Sequence, residues 1–206
     1  MNRFDRPLPS GHRHLDELAR PLAELRREVA RLEEWGRRIA AVLAGGGRLL
    51  AAGNGGSAAQ AAHLTSELVG RYRDDRPPFS AIALGAESSA VTAIGNDYGI
   101  EEVFARQVRG HGRPGDVLVA LSTSGRSPNV IAAVEAARAC GIATYGLCGA
   151  PGSPLAEACD DALCVSSPHT ATVQEIHLIS IHLICEAVDQ ALELRATGAL
   201  QGGAAA

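Results

Sequence analysis

Apolar residues recur at spacings of three and four over residues 15–43, the pattern of an amphipathic helix. Pro21 falls within this stripe and predicts a first turn or a break, because proline cannot donate a backbone hydrogen bond. The sequence AGGGR at 44–48 predicts the end of the helical region. The stripe is wider than one sheet face needs. We therefore expect an N-terminal helix or helix pair that packs against another subunit; packing within its own domain is the alternative.

Five short apolar runs follow, at 48–53, 79–85, 116–122, 142–149 and 162–167. Helical patterns stand between most of them, clearest over 57–70 and 128–141, and a last helix is predicted over 172–194. Continuous apolar runs separated by helices are typical of a parallel sheet covered on both faces. The pattern predicts a three-layer α/β fold with five parallel strands, in which ligands bind beyond the carboxyl ends of the strands.

The length of 206 residues and the 46% hydrophobic content suit one domain, which we place at 15–195. Residues 1–14 and 196–206 are predicted to be mobile. A net charge of −4 and an aromatic content of 3% do not indicate a nucleic-acid or membrane surface. Neither a leader peptide nor an apolar run of about 18 residues is recognisable, so we expect a cytoplasmic protein.

The five cysteines are scattered and form no CxxC pair. Such a set is typical of buried, reduced thiols, with a redox or structural-zinc role as the alternative. The cysteines are Cys140, Cys148, Cys159, Cys164 and Cys185.

The first candidate loop, GNGGS at 53–57, follows the first predicted strand. It lacks the lysine of a Walker motif and the third glycine of a dinucleotide fingerprint, so we expect no nucleotide cofactor. The loop exposes backbone N–H groups, and Ser57 is predicted to cap the next helix. A tight strand-to-helix turn without ligand is the alternative.

The second candidate loop, LSTSGRSPNVI at 121–131, follows the third predicted strand. Pro128 suits the first position of a helix, which makes Ser127 the cap. Hydroxyl groups and free amides gather at this helix N-terminus, where the helix dipole favours an anion. We expect Ser122, Thr123, Ser124 and Ser127 to bind a phosphate group.

Two pairs of polar side chains fall on predicted helices. His63 and Glu67 are four residues apart and share one helix face, about 6 Å apart along the axis. Gln174 and His182 are eight residues apart on the apolar last helix, about 12 Å along its axis. Each residue alone has an ordinary structural explanation, but polar groups on an apolar helix need partners. Together they indicate acid–base chemistry near the phosphate site.

Four motifs in this order resemble the sugar isomerase (SIS) family and, within it, the phosphoheptose isomerases. They are GNGGSAAQAAHLTSELVGRY at 53–72, AIGNDYG at 93–99, STSGRSPNV at 122–130 and VQEIHLISIH at 173–182. The resemblance spans nearly all of 15–195. It implies an aldose–ketose isomerase that converts sedoheptulose 7-phosphate to D-glycero-D-manno-heptopyranose 7-phosphate, in a homotetramer with sites between subunits.

The resemblance also implies roles for individual residues. Glu67 is expected to be the catalytic base and His182 the acid. His63, Glu67, Gln174 and His182 match the zinc ligands of metal-binding members, although a Glu bound to metal is a poor base. The expected substrate-binding residues are Asn54, Gly55, Gly56, Ser57, Glu67, Arg71, Asn96, Asp97, Ser122, Thr123, Ser124, Ser127 and Gln174. Without the resemblance, the GND sequence at 95–97 indicates only a turn.

One departure from the family pattern precedes the last motif. The family often carries a charged residue there, whereas this chain has Ala171 and Thr172, and His169 is a candidate substitute. Two other functions stay open: a non-catalytic SIS adaptor that binds a replication-initiator protein, and an isomerase or sensor for another sugar phosphate. An adaptor needs none of the residues His63, Glu67, Gln174 and His182, so their presence together favours the enzyme.

Overall fold

The computed structural model describes residues 11–196, which form eight helices and five strands. The strands are β1 Leu49–Gly53, β2 Ala81–Ala83, β3 Val117–Ser122, β4 Ala143–Cys148 and β5 Asp161–Cys164. The helices are α1 Gly11–Leu25, α2 Val29–Ala44, α3 Gly56–Val69, α4 Ser88–Tyr98, α5 Glu102–His111, α6 Pro128–Ala139, α7 Pro154–Ala158 and α8 Thr170–Ala196. Four of the five predicted apolar runs contain one strand each, and the run at 162–167 overlaps β5, which begins one residue earlier at Asp161.

The strands form one parallel sheet in the order β2-β1-β3-β4-β5, which confirms the predicted fold class. β2 pairs with one edge of β1 and β3 pairs with the other, and β4 and β5 extend the sheet beyond β3. The strand order therefore changes direction between β1 and β3. In sheets of this kind the crevice at such a switch point is the usual ligand site. Gly53 pairs with Leu121, so the loops that follow β1 and β3 are neighbours.

The central strands are buried on both faces, as their continuous apolar sequences predict. One face packs against α2, α3 and α8, and Trp35 of α2 is among the largest buried side chains there. The indole of Trp35 stacks on Tyr145 with ring centroids 4.8 Å apart and donates a hydrogen bond of 2.7 Å to Asp161. The other face packs against α5, α6 and α7.

The N-terminal helical region differs from the prediction in its break. Pro21 does not end or begin a helix: it is a buried residue inside α1, and the chain turns at residues 26–28 instead. Burial of the proline ring offsets the one hydrogen bond that its nitrogen cannot donate. Residues 11–14, assigned to a mobile segment, form the first turn of α1, while residues 1–10 and 197–206 lie outside the described part of the chain.

The two N-terminal helices divide the predicted apolar stripe between them. α2 buries its stripe within the domain, since Leu32, Trp35 and Ile39 are at most 1% exposed. α1 leaves Leu15 65% exposed and Leu22 41% exposed. Packing within the domain therefore accounts for α2, and only α1 keeps an apolar outer face.

Helix α8 is long and apolar enough, by length and composition alone, to cross a membrane. However, 56% of its most apolar window is buried inside the domain, where α8 packs against α1, α2 and α3. Those contacts are the ones expected of a core helix. The cytoplasmic location stays a prediction.

Candidate active site

The loop after β1 turns directly into α3 and uses its glycines to do so. Gly55 precedes the helix with a φ of 54°, a conformation that side chains other than glycine rarely adopt. A Cβ atom at Gly56 would lie 2.2 Å from the side-chain amide nitrogen of Gln174, so a larger residue here would displace the Gln174 side chain. The prediction that Ser57 caps α3 is wrong: Ser57 lies inside the first turn, is 4% exposed and makes no capping hydrogen bond.

The loop after β3 gathers three serine hydroxyl groups, and we call residues 122–127 the serine loop. Ser122 Oγ lies 3.0 Å from Ser127 Oγ and 3.3 Å from Ser124 Oγ. The amides of Gly125 and Arg126 donate to Ser122 Oγ and Ser124 Oγ at 3.1 and 3.2 Å. Ser127 occupies the predicted N-cap position before Pro128, but its hydroxyl bonds Ser122 rather than the helix backbone. The N-terminal end of α6 therefore has no side-chain cap, and its helix dipole points at the serine loop.

A pair of asparagines joins the two loops; Asn54 was named from the sequence, but Asn129 and the pairing were not. Asn54 and Asn129 exchange reciprocal side-chain amide hydrogen bonds of 2.8 and 2.9 Å. Asn54 follows β1, and Asn129 lies in the first turn of α6, where it is 6% exposed. The pair holds the N-terminal ends of α3 and α6 at a fixed separation. The strand order that makes them neighbours is not visible in the sequence.

Three of the predicted catalytic and metal-binding side chains meet between α3 and α8. His63 Nε2 lies 3.0 Å from His182 Nε2 and 3.5 Å from Glu67 Oε1. The nitrogen contact is a hydrogen bond between imidazoles, in which one ring donates and the other accepts. Glu67 is shielded, with 18% of its side chain exposed against 38% for His63. The Glu67 carboxylate on α3 and the His182 imidazole on α8 therefore both lie next to His63.

Gln174 lies elsewhere in this site. Its backbone carbonyl accepts a hydrogen bond of 2.6 Å from Gln60, and its side chain packs against Gly56. Gln174 therefore lies beside the first loop. His182 lies about two helical turns further along α8. Within residues 11–196, no group of three or more His, Cys, Asp or Glu side chains is arranged to hold a metal ion, and this includes His63, Glu67 and His182.

Arg76 and Tyr72 support the cluster and were not predicted from the sequence. The guanidinium of Arg76 donates to the carbonyl oxygens of Glu67 and Leu68 at 2.6 and 2.9 Å, which satisfies the end of α3. It also forms a shielded ion pair of 2.8 Å with Asp189 on α8. The ring of Tyr72 lies 5.8 Å from that of His182, and partial burial raises the pKa of Tyr72. These contacts fix α3 relative to α8.

Three predicted substrate residues lie on exposed parts of the chain. Asn96 and Asp97 are exposed at the end of α4, joined to each other by a hydrogen bond of 2.8 Å. The GND sequence is thus helical, and the turn predicted for it is wrong, because α4 continues to Tyr98 before Gly99 ends it. Arg71 is exposed, and its guanidinium donates to the carbonyl oxygen of Arg73.

The segment before the last motif also has a defined structure. Thr172 is fully buried, and its hydroxyl has no hydrogen-bond partner among the described residues. Ala171 is exposed. His169 lies 3.4 Å from Glu17 of α1, so its imidazole is engaged with the N-terminal helix. His177, on the same helix as His182, is completely buried and lies 3.0 Å from the carbonyl oxygen of Cys148.

The comparisons with known proteins agree with this geometry. A family model described as the SIS domain matches residues 13–149. A phosphoheptose isomerase from Streptomyces coelicolor is 62% identical over 193 residues, covering 94% of this chain and 84% of the relative. The solved phosphoheptose isomerase from Neisseria gonorrhoeae aligns with a TM-score of 0.80 and 40% identity, over 87% of this chain and 96% of that one. The enzyme from Francisella tularensis aligns over the same shares with a TM-score of 0.82 and 32% identity.

The parallel sheet and the matching family model define a SIS-domain protein. Within that class, the chain belongs to the phosphoheptose isomerase family. It is an aldose–ketose isomerase of sugar phosphates.

Proposed function

We propose that this enzyme interconverts sedoheptulose 7-phosphate and D-glycero-D-manno-heptopyranose 7-phosphate by proton transfer through an enediol. The names of its relatives support the substrate. The observation that carries the mechanism is the position of His63 Nε2, which contacts both Glu67 and His182. A base and an acid supplied by different helices are thereby brought to one place.

In this mechanism Glu67 removes a proton from the carbon beside the carbonyl group and returns it to the neighbouring carbon. His182 exchanges a proton with the sugar oxygens, which lets the ring open and moves charge between the two oxygens of the enediol. The hydrogen bond between His63 and His182 requires one imidazole to present a proton and the other a lone pair. His63 is thus placed to take up or supply the proton that His182 exchanges.

The serine loop is proposed to hold the phosphate group. Its hydroxyls and amides are donors at the N-terminal end of α6, where a dianion is favoured. Asn54, Gly55, Gly56, Ser57 and Gln174 are proposed to contact the sugar between this loop and the histidines. Arg71, Asn96 and Asp97 are exposed, and we propose that a partner subunit brings them to a site.

Zinc binding is a separate proposal, and no step above depends on it. Imidazole nitrogens and a carboxylate are donors that suit zinc, and His63 lies next to both Glu67 and His182. Gln174 would need to approach from another chain or by a shift of its side chain. When bound, zinc would polarise the sugar oxygens, while Glu67 would have to leave the metal to act as a base.

The decisive experiment is turnover of sedoheptulose 7-phosphate in deuterated water, with and without a chelator and added zinc. The proposed mechanism predicts one deuterium in the product at the carbon beside the carbonyl group. Glu67→Gln should lower kcat/KM by about 10²–10⁴-fold while the circular-dichroism spectrum stays unchanged. Glu135→Gln, at an exposed position on α6, is the control and should keep full activity.

Each alternative has its own result in this experiment. No turnover at micromolar enzyme would favour the adaptor, and turnover only of another ketose phosphate would move the substrate assignment. Near-normal activity of Glu67→Gln would show that another group is the base. Unchanged turnover with chelator, together with no zinc in the purified protein, would contradict the metal proposal.

A further inference from the structure

Three of the five cysteines lie together on the face of the sheet that packs against α6 and α7. Cys148 ends β4 and is the register partner of Cys164 at the end of β5. Cys159 precedes β5, and a Cβ atom at Gly146 would lie 3.0 Å from its sulfur and 3.2 Å from that of Cys148. Because Gly146 has no side chain, the sulfurs of Cys148 and Cys159 can lie close to its backbone. No part of the proposed isomerase mechanism uses them.

Cys148 and Cys164 have the geometry that a disulfide needs. Neighbouring strands are about 4.8 Å apart, and the Cα atoms of bridged cysteines are about 4.4–6.8 Å apart. Register partners in a parallel sheet also direct their side chains to the same face. All five thiols are free in this structure.

The two thiols differ in the way that an attacking and a resolving cysteine differ. Cys164 is on the edge strand and partly exposed, whereas Cys148 is completely buried. A hydrogen bond between the thiols lowers the pKa of Cys164, and the Arg31 guanidinium, which donates to the neighbouring Ala162 carbonyl at 3.1 Å, acts in the same direction. The same hydrogen bond, with burial, raises the pKa of Cys148. Burial raises the pKa of Cys159 to about 12, which makes it the less reactive neighbour.

The pair lies directly beneath the serine loop. A Cβ atom at Gly149, the residue after Cys148, would lie 2.0 Å from the carbonyl oxygen of Thr123. A second contact joins the same two segments: the amide of Leu155, in α7, donates to the carbonyl oxygen of Gly125, in the serine loop, at 3.0 Å. A shift of Cys148 should therefore also move the serine loop, because the two backbone segments are in close contact.

We propose that Cys164 and Cys148 form an oxidisable dithiol, in which a peroxide oxidises Cys164 and Cys148 closes a disulfide beneath the serine loop. The Cys164 thiol releases its proton, and the thiolate attacks one oxygen of the peroxide, which breaks the O–O bond and gives a sulfenic acid. The leaving oxygen, a hydroxide when the oxidant is hydrogen peroxide, takes up the released proton as water. The Cys148 thiol then attacks the Cys164 sulfur, and the sulfenic oxygen leaves as a second water. Two thiols lose two electrons, and one peroxide gains them.

The test treats the intact protein with stoichiometric hydrogen peroxide and maps its peptides by mass spectrometry without reduction. We expect a peptide linked through Cys148 and Cys164 that dithiothreitol separates. Cys148→Ala should stop at a sulfenic acid on Cys164, which dimedone traps, and Cys164→Ala should leave Cys148 as a free thiol. Cys140→Ser, which changes a half-buried cysteine at the end of α6, is the control and should still form the link.

Other peptide maps would overturn the proposal. A link that joins Cys159 to either partner, or Cys164 that stays a thiol while Cys140 reacts, would remove the assigned pair. Oxidation of wild-type Cys164 only to sulfinic acid would show that Cys148 cannot resolve it. None of these readouts requires turnover, so they do not depend on the proposed substrate.

The coupling to the serine loop has its own measurement, the dissociation constant for inorganic phosphate from ³¹P NMR titration. The disulfide should raise this constant by about tenfold or more, the effect of losing one charge-assisted hydrogen bond. Peroxide-treated Cys164→Ala should keep the constant of the reduced protein. Equal constants for the reduced and the bridged wild-type protein would overturn the coupling.

Discussion

At the scale of single residues, His177 shows how burial decides the state of a histidine. Its imidazole is completely buried, and burial lowers its pKa to about 4. The neutral ring donates Nε2–H to the carbonyl oxygen of Cys148, which leaves Nδ1 as a buried acceptor without a partner among the described residues. His177 therefore links α8 to β4 and, unlike His63 and His182, is closed to substrate.

The pH dependence of stability follows from this burial. Below pH 6.5 the unfolded chain protonates His177, while the folded protein resists protonation until about pH 4. The free energy of unfolding should fall by about 3 kcal/mol from this group as the pH falls from 6.5 to 4. His177→Gln keeps a donor for the Cys148 carbonyl and should remove this part of the pH dependence.

Urea denaturation at several pH values and one protein concentration measures the effect. His111→Gln changes an exposed histidine of α5 and should follow the wild-type curve. Parallel curves for wild type and His177→Gln between pH 6.5 and 4 would show that His177 is protonated in the folded protein.

At the scale of elements, the candidate site depends on two loops that neighbouring strands bring together. Each loop alone is a strand-to-helix connection with ordinary turn chemistry. The paired strands place them side by side, and the Asn54–Asn129 amide pair fixes their separation. The ends of α3 and α6 therefore act as one unit.

A double-mutant cycle measures this unit. Asn54→Ala and Asn129→Ala should each destabilise the protein, and the double variant should lose less than the sum, with a coupling energy of about 1–2 kcal/mol. The reason is that either change alone leaves the other amide without its partner. Urea denaturation of the four proteins gives the value, and additive losses would show that the loops are not coupled through these side chains.

The serine loop makes a prediction about binding. Ser124→Ala should raise KM for the phosphorylated substrate by the equivalent of about 1–3 kcal/mol, since one donor to a dianion is removed. It should leave kcat within a few-fold, because the phosphate is remote from the proton transfer. Ser80→Ala, at an exposed position before β2, is the matched control. A large fall in kcat at unchanged KM would place Ser124 at the reacting carbons instead.

At the scale of the whole molecule, the outer faces of α1 and α8 suggest where subunits meet. Leu15 and Leu22 of α1 are exposed, and so are Leu178 and Ile179 of α8, each 36% exposed. Apolar residues of this size at the surface of helices that border the site are typical of an interface. We propose a homotetramer in which such contacts complete the site around Arg71, Asn96 and Asp97.

Sedimentation velocity tests the assembly. Ile179→Glu should lower the association state, because it places a charge in an apolar contact, and should reduce turnover with it. Gln190→Glu adds the same charge at an exposed position near the end of α8 and should leave the assembly intact. A wild-type protein that sediments as a monomer with full activity would contradict the tetramer.

The sequence by itself determined the parallel α/β fold, because buried strands and amphipathic helices have periodicities that do not depend on distant residues. It also predicted that Ser127 takes the N-cap position before Pro128 and that His63 and Glu67 share one helix face, since these relations are local. It failed where longer-range packing competes with a local rule. Pro21 stays inside a helix because its ring is buried, and Ser57 does not cap α3 because Gly55 supplies the turn.

Only the tertiary structure decided which distant residues meet. The contact between His63 and His182 and the Asn54–Asn129 pair each join residues more than 70 positions apart, through the strand order and the packing of α8. Cys148 and Cys164 are much closer in the sequence, but only the register across β4 and β5 makes these two cysteines partners. A sequence shows what each residue can do, but spatial neighbours are set by how the sheet and helices bury their apolar faces.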